Sequence, residues 1–583
     1  MPQDFQTAPD VAIIGGGPAG STVATFLRKY RPRLKVAIYE RESFPRDHVG
    51  ESQLPHISGV LDEMGVWDKV EAANFPVKIG ATYRWGKSDE LWDFEFLNNG
   101  VFQDEPRPAK YVGQRTQTAF QVDRAIYDKI LLDHAQELGC EVFEEAAVRQ
   151  VHCNGDAVTG LSIEHGGQTY EVKARHYVDC SGHVGILRRA MDVEVESPTN
   201  LQNIAIWDYW TNADWAVSIG VGGTRVQVLS LGYGWIWFIP LGPTRTSIGL
   251  IVPAEYYKER GLKPAELYVE ALKSDEIIQV LTKNAVCEDK LSTTKDWSFL
   301  ASRLVGENWF LAGESAGFAD PILAAGMTLA HKGARDVAYT IIELERGDYE
   351  DDWLKKRYDD SHRRHILQHI RFADFWYTQN GLFGDLKDFT KELAGEAGLE
   401  MSSDEAWRWF GTGGFIDHDT AGADVGGYAL YAAKKITATF LDEPVDYEIF
   451  GKTHFKVNLE GAEETYGANL FDGRIHRHPA YVRGNKSLPM LGVCGWLAHF
   501  LSKRQCAKDI IDAANQFRAS SGMTREQMLA FPRLMVEALE AMVLDGWVIA
   551  DTVKGFDPWP QFTINYERFM HSNRDIALKV KAD

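Results

Sequence analysis

Cysteine is scarce. The six, Cys140, Cys153, Cys180, Cys287, Cys494 and Cys506, lie scattered over 583 residues with no C-x-x-C pair. Neither a disulfide framework nor a zinc site of ordinary spacing is implied. No apolar run reaches the length of about 20 residues that a membrane-spanning helix needs, and the polar opening Met1–Pro9 lacks a secretion-signal pattern. Positive charge is also short. Against 83 Asp and Glu stand 62 Lys and Arg, a formal net charge of −21, which disfavours nucleic acid and anionic membranes as partners. A protein of the reducing cytoplasm is expected. Internal repeats and long low-complexity linkers are missing. So is a G-x-S-x-G elbow, which leaves a Ser-His-Asp hydrolase without support.

Hydrophobic residues, by contrast, make up 45% of the chain, enough for large cores, and the length calls for two or three packed units. The organising stretch is Asp10-Val11-Ala12-Ile13-Ile14-Gly15-Gly16-Gly17-Pro18-Ala19-Gly20. An apolar run suited to a buried parallel strand meets a glycine turn, and a helix follows over Ser21–Tyr30. Gly15 permits the tight turn, Gly17 lets backbone approach a pyrophosphate, and Gly20 lets helix pack on strand. Around Pro18 and Ala19 the N–H groups of the helix start, at its positive dipole end, hold phosphate. A second apolar run, Lys35–Tyr39, ends in Glu40, twenty residues past Gly20, which suits a carboxylate gripping a ribose hydroxyl. The pattern points to an adenine dinucleotide.

Further on, Phe44–Pro55 contains Gly50-Glu51-Ser52 and leads into a helix ending near Met64. Val77–Trp85 alternates, with Val77, Ile79, Ala81, Tyr83 and Trp85 on one face and Lys78, Gly80, Thr82 and Arg84 on the other, as in a half-buried strand. Arg124 opens an amphipathic helix to about Gly139. Tyr177–Gly182 reads as a strand entering a turn. Short alternating runs from Ile204 to Pro253, punctuated by glycine, predict an antiparallel sheet. The chain then returns through Trp309–Glu314 to a helix from about Met327 to Glu345.

Three separated stretches match those of flavoprotein monooxygenase-type folds: the glycine turn, Asp179-Cys180-Ser181-Gly182, and Gly313-Glu314-Ser315-Ala316-Gly317-Phe318-Ala319-Asp320-Pro321. Arg124 matches the arginine that begins the helix beside the flavin. In this order they indicate FAD, with Asp179, Gly182, Gly313, Glu314, Asp320 and Arg124 joining Gly15, Gly17, Pro18, Ala19, Gly20 and Glu40 as cofactor residues. Glu314 departs from the usual Asp, but its longer carboxylate still reaches ribitol or ribose hydroxyls. Two further stretches narrow the chemistry. Gly234-Trp235-Ile236-Trp237-Phe238-Ile239-Pro240 reads G-W-x-W-x-I-P, and Lys78 follows the G-E-S turn at a matching distance. With these, residues 10–345 resemble the flavin-dependent halogenases.

The resemblance implies a chain that receives reduced FAD from a separate flavin reductase, since no second dinucleotide fingerprint appears. Reduced FAD with dioxygen and chloride or bromide supplies hypohalous acid. Trp235 and Trp237 then wall substrate from flavin, and Lys78 presents electrophilic halogen, a role arginine fills poorly. Glu51 is a candidate for orienting flavin or lysine. The halide falls to backbone at Ala325 and Gly326, at the start of the Met327 helix. Tryptophan halogenases read D-P-L-E-S-T-G where this chain has Asp320-Pro321-Ile322-Leu323-Ala324-Ala325-Gly326. Leu323 replaces the indole-activating glutamate, which favours a phenolic, aromatic or carrier-protein-tethered acyl substrate over free tryptophan. An ordinary monooxygenase or reductase of this fold, and a flavin-bearing nucleic-acid-binding regulator, remain alternatives.

The fold class expected is α/β: a Rossmann-like FAD-binding domain (1–75, 110–190, 290–346) with an inserted antiparallel-sheet substrate domain (76–109, 191–289). A mainly helical C-terminal region (347–583) follows. Its helices Val493–Leu501, Ala507–Phe517 and Met523–Asp545, followed by Trp547–Ala550, resemble a winged helix over 487–555, whose balanced charge suits a lid or docking surface better than DNA. His362, His365 and His369 share a helix face, but interleaved Arg363 and Arg364 speak against metal. Asp417-His418-Asp419 reads as a solvated loop.

Overall fold

The computed structural model describes residues 5, 7–85, 91–97, 102–103, 105–199, 201–216, 223–378, 447–484, 486–520, 525–561 and 570–572. The Asp417–Asp419 stretch lies outside them. The chain forms two compact units, one of Met1–Phe383 with Asp472–Arg474 and Glu567–Asp583, the other of Gly384–Phe471 and Ile475–Tyr566.

A five-stranded parallel sheet anchors the first unit, in the order Trp309–Leu311, His176–Asp179, Val11–Ile14, Val36–Tyr39, Glu141–Phe143. The residues of Val11–Ile14 are buried on both faces, as a run covered by helices on each side must be. The crossover helix Pro18–Tyr30 packs on the long helix Gly326–Leu344. Between them the glycine turn is held by sterics. Gly15 has φ +100°, and a Cβ there would sit 2.4 Å from the Cys180 carbonyl oxygen; one on Gly20 would sit 1.9 Å from the Gly15 oxygen. An antiparallel meander, Ala147–Asn154, Ala157–His165 and Gln168–Val172, is added on this unit. Register shifts after Val148 and His152 break its alternation, and no sequence expectation covers it.

The antiparallel runs over 202–253 join Val77–Arg84 in one ten-stranded sheet. Gln202–Thr211, Arg245–Pro253, Trp235–Pro240 and Gly223–Ser230 pair antiparallel in that spatial order, and Gly223–Ser230 runs parallel to Val77–Arg84. The outer face carries Ile206, Leu229, Ile236, Phe238, Ile248 and Leu250, covered by Leu267 and Ala271 of helix Pro264–Ser274 and Ile278 of Glu276–Thr282. The inner face carries Trp207, Tyr209, Val228, Trp235, Trp237 and Tyr83, since paired residues share a face. Val77–Arg84 is thus not half-buried as its alternation suggests. Every residue from Val77 to Tyr83 is buried, because the sheet is covered on both sides here.

Helix Asp351–Thr378 packs on Gly326–Leu344 and belongs to the first unit, so the boundary expected at 347 moves past it. Among the described residues of the second unit the helices are Gly492–Leu501, Ala507–Ser520 and Arg525–Leu544, followed by strand Val548–Asp551. Their core includes Leu497, Leu501, Ile510, Leu539, Met542 and Trp547. The order is that of the expected winged helix, with a difference. The last strand pairs antiparallel with His454–Val457 upstream, and a three-stranded sheet of Glu463–Phe471, Arg474–Arg483 and Lys486–Pro489 precedes the helices, so the region is less purely helical than expected. No described helix is long and apolar enough to cross a membrane.

Gly20 offers a direct test of the turn. With no space for a methyl, Gly20→Ala should destabilise the flavin-free protein by about 3 kcal/mol in urea denaturation and weaken FAD binding in the same preparation.

Candidate active site

At the phosphate end, Gly17 is the N-cap of Pro18–Tyr30 and no side chain caps the helix. A Cβ on Gly17 would meet only Arg46 Nη2, at 3.4 Å, so a guanidinium lies beside the uncapped helix start. Arg46 itself pairs with Glu42 at 3.1 Å and Asp128 at 3.2 Å. Sequence reasoning passed over Arg46 because its approach to Gly17 is tertiary. The buried Glu40 carboxylate accepts the Gly16 N–H at 2.7 Å and the Glu42 N–H at 2.9 Å, which moors it beside the turn with lone pairs left for a ribose hydroxyl.

The three fingerprints converge. A Cβ on Gly313, at φ +65°, would lie 3.0 Å from the Ala19 methyl, and one on Gly182, at φ +68°, 3.7 Å from Glu314 Oε2. Asp179, expected to meet the cofactor, also has a structural part. Its buried carboxylate accepts from Ser181 N–H (3.0 Å), Ser181 Oγ (2.6 Å) and Leu187 N–H (2.8 Å), so it shapes the turn. Arg124 likewise grips protein. It binds Asp128 bidentately at 2.7 and 2.9 Å and donates to the carbonyls of Val49 (3.0 Å) and Gly50 (3.2 Å). In doing so it holds the G-E-S turn in place.

Glu51, in that turn, is 2% exposed. It accepts the Tyr209 hydroxyl at 2.9 Å, and the Tyr209 ring is stacked by Arg245 at 3.9 Å, itself tied to Asp123 at 2.6 Å and Glu288 at 3.0 Å. Burial pushes Glu51 up to about 7 despite that hydrogen bond and the nearby guanidinium of Arg124. Neither Tyr209 nor Arg245 belongs to a recognisable motif.

Lys78 is also buried, 2% exposed, and burial alone lowers it to about 7. Strict alternation puts it opposite both Val77 and Tyr83, facing solvent; it does lie opposite Val77, but it is buried and shares the face of Tyr83. Lys78 pairs with Thr224 but Gly80 with Arg225, a one-residue bulge at Ile79. Paired residues share a face and consecutive ones do not, so Lys78 takes the face of Thr224, Val226 and Val228, which is that of Trp237. Bulges re-aim side chains in this way. The Phe96 ring lies 5.4 Å from Nζ.

Trp235 and Trp237 are both buried, their ring centroids 6.1 Å apart. Trp237 Nε1 donates to Ser247 Oγ at 3.1 Å. Trp235 Nε1 donates to the Tyr377 hydroxyl at 2.7 Å, which donates on to Asp320 Oδ1 at 3.1 Å. Asp320 also accepts from Ile322 N–H and Asn203 Nδ2, both at 2.9 Å. Asp320, expected on the cofactor, thus also braces the next turn to the tryptophan strand. That turn, Pro321–Leu323, ends in Ala324 at φ +55°, an uncommon conformation for a residue with a side chain. Ala325 then starts helix Gly326–Leu344, which has no side-chain cap and no acidic residue in its first turn, while buried Thr328 Oγ1 lacks a partner. Open N–H groups and an orphan hydroxyl suit an anion. His362, from the histidine row, is buried against Gly333.

These features suit a flavin adenine dinucleotide: glycine-lined N–H groups at one end, a moored carboxylate twenty residues on, and an uncapped helix start at the other. The family model described as "FAD binding domain" matches residues 8–373. A 1H-pyrrole-2-carbonyl-[peptidyl-carrier protein] chlorinase of Pseudomonas fluorescens is 32% identical over 388 residues, 64% of this chain and 84% of that one. A tryptophan 2-halogenase of Chondromyces crocatus is 31% identical over 380 residues, 64% of this chain and 68% of that one. The crystal structure of CmlS, a flavin-dependent halogenase, shares the fold over 97% of this chain and 100% of that chain, with TM-score 0.70 and 23% identity. The chain belongs to the flavin-dependent halogenases, oxidoreductases that use FAD and halide.

Since the Tyr209 hydrogen bond lowers the Glu51 pKa, Tyr209→Phe should raise it. The infrared band of the neutral Glu51 carboxyl should persist to higher pH than in the parent, identified by its loss in Glu51→Gln.

Proposed function

We propose that this halogenase takes reduced FAD from a separate reductase and passes halogen through Lys78 to a phenolic or carrier-tethered substrate. The observation carrying this reading is a buried amine, lowered to about 7, turned by a bulge onto the sheet face of Trp237. A solvated lysine near 10.4 stays almost wholly protonated at neutral pH. One near 7 offers its lone pair to hypohalous acid. Trp235, pinned through Tyr377 to Asp320, and Trp237, pinned to Ser247, are rigid enough to bar substrate from the flavin. Ala325 and Gly326 supply N–H groups for the halide, helped by Thr328. Glu40 and Glu314 take ribose and ribitol hydroxyls, and Arg46 the pyrophosphate. Leu323, 3% exposed, brings no carboxylate to activate an indole. The carrier-protein chlorinase relative supports a tethered substrate.

Three measurements test this. Because Lys78 is buried, Lys78→Ala would open a cavity, and Lys78→Leu, close in volume and inert to hypohalous acid, is the cleaner change. It should fold and bind FAD, yet lose halogenated product with reduced FAD, bromide and a panel of phenols and carrier-bound acyl groups read by mass spectrometry. Lys78→Arg should also fail, its guanidinium remaining protonated. A Lys78→Leu enzyme at the parent rate would sink the assignment.

The pH dependence follows from the direction of the shift. Below about 7 the amine is protonated and cannot form a bond to halogen, so transfer should rise with pH through that value and then level. A profile flat to pH 10, or rising only near 10, would contradict a lysine lowered by burial. In the third, free tryptophan should be a poor substrate; its efficient regiospecific chlorination would remove the significance assigned to Leu323.

A further inference from the structure

Two ladders share the segment Ala119–Val122. On one side Val77 and Lys78 pair with Phe120 and Ala119. On the other Ser52 bridges Gln121, the Gln53 N–H donates to the Phe120 carbonyl at 3.1 Å, and the Val122 N–H to the Glu51 carbonyl at 2.8 Å. Paired residues share a face, and so do residues two apart on one strand. Lys78, Ala119, Gln121 and Ser52 therefore line one face, with Ala119 and Gln121 separated by about 7 Å along the strand. Ala119 is too small to screen its neighbours from each other.

Gln121 is 0% and Ser52 9% exposed, yet neither amide atom of Gln121 nor Ser52 Oγ has a hydrogen-bond partner. Buried polar groups left so are rare in native folds and mark places filled by water or a ligand. These three atoms belong to residues on the same face as the lysine.

We infer that Ser52 and Gln121 are positioning residues that hold hypohalous acid against the Lys78 amine. The inference rests on the halogen-relay reading of Lys78. Hypohalous acid has one O–H donor and an oxygen that accepts. A hydroxyl and a primary amide each donate and accept, so together they can bind that oxygen and its proton while the halogen end points at nitrogen. The Lys78 nitrogen lone pair then attacks halogen. The N–X bond forms as X–O breaks, the X–O electron pair leaves on oxygen as hydroxide, and the proton released from nitrogen makes it water. Halogen keeps its oxidation level, and the water departs along the same two side chains.

The test is a single turnover of the full chain with reduced FAD, dioxygen and chloride. Small molecules are then removed, the oxidising equivalents retained on protein titrated with iodide, and free hypochlorous acid in the flow-through trapped. Gln121→Leu should fold, since removing an unpartnered buried amide leaves nothing unsatisfied. It should retain about tenfold less oxidant than the parent, the size of a lost hydrogen bond at the upper end, with free hypochlorous acid rising to match. Ser52→Ala should lose about threefold and Ser52→Thr should recover it, a rescue that a purely structural role would not produce. If Gln121→Leu does not fold, Ser52→Ala and its rescue decide the matter alone. Retention within twofold of the parent in the folded variants overturns the inference. So does a tenfold loss of FAD affinity in Gln121→Leu, which would place that amide on the flavin. Retained oxidant in the parent that survives Lys78→Leu is a separate signature, and it defeats the relay reading itself.

Discussion

The contact on which the rest depends is the closure of Gly20 on Gly15, where a single added carbon would lie 1.9 Å from a carbonyl oxygen. It presses the first helix against the strand turn and aims the uncapped N–H groups at Gly17. From there Ala19 meets Gly313, and the third fingerprint is set against the first across almost 300 residues of sequence. The Ser315 hydroxyl extends the same joint by donating to the Asp179 carbonyl at 2.6 Å. Because these fits are steric, they leave little freedom in where the inner face of the large sheet lies relative to the G-E-S turn. The Tyr209–Glu51 hydrogen bond and the Tyr83 hydroxyl on the Ile322 carbonyl at 3.2 Å secure that placement.

Desolvation is the second theme. Glu51 moves up and Lys78 down to about 7, and in both the largest cause is burial. A direct ion pair would have done the opposite, keeping both charged. The strand Ala119–Phe120 lies between the segments that carry them, so each is near neutrality for its own reason. The Phe96 ring beside Lys78 favours the ammonium by about 0.5–2 kcal/mol, and burial still prevails.

What the sequence made legible was local. The glycine turn, Glu40, the paired tryptophans and most element boundaries follow from runs of a few residues. Three things were not. The direction of Lys78 depends on a bulge defined only by Thr224 and Arg225, almost 150 residues away, so period-two reading put it in solvent. Asp179 and Asp320 sit at expected motif positions, but their partners, Leu187 for one and Asn203 and Tyr377 for the other, are decided by tertiary packing. The strands over 454–489 were missed because the helices that follow carry the stronger periodic signal.

The misplacement of Lys78 is instructive about motifs. Spacing identified the residue, yet the same spacing misjudged its surroundings, and the surroundings supply the chemistry. An exposed lysine has the right atoms in the wrong protonation state. The bulge costs the strand one regular pairing and in exchange turns the amine inward, where desolvation frees its lone pair. A buried, reactive amine then needs polar neighbours that can handle a small oxidant without becoming its target. Hydroxyl and amide groups meet that need better than thiol, thioether or indole, which hypohalous acid oxidises. Ser52 and Gln121 are of the right kind, and the nearest element of the tryptophan wall keeps its distance: Trp237 pairs with Val228, four residues along the strand from Thr224, the partner of Lys78.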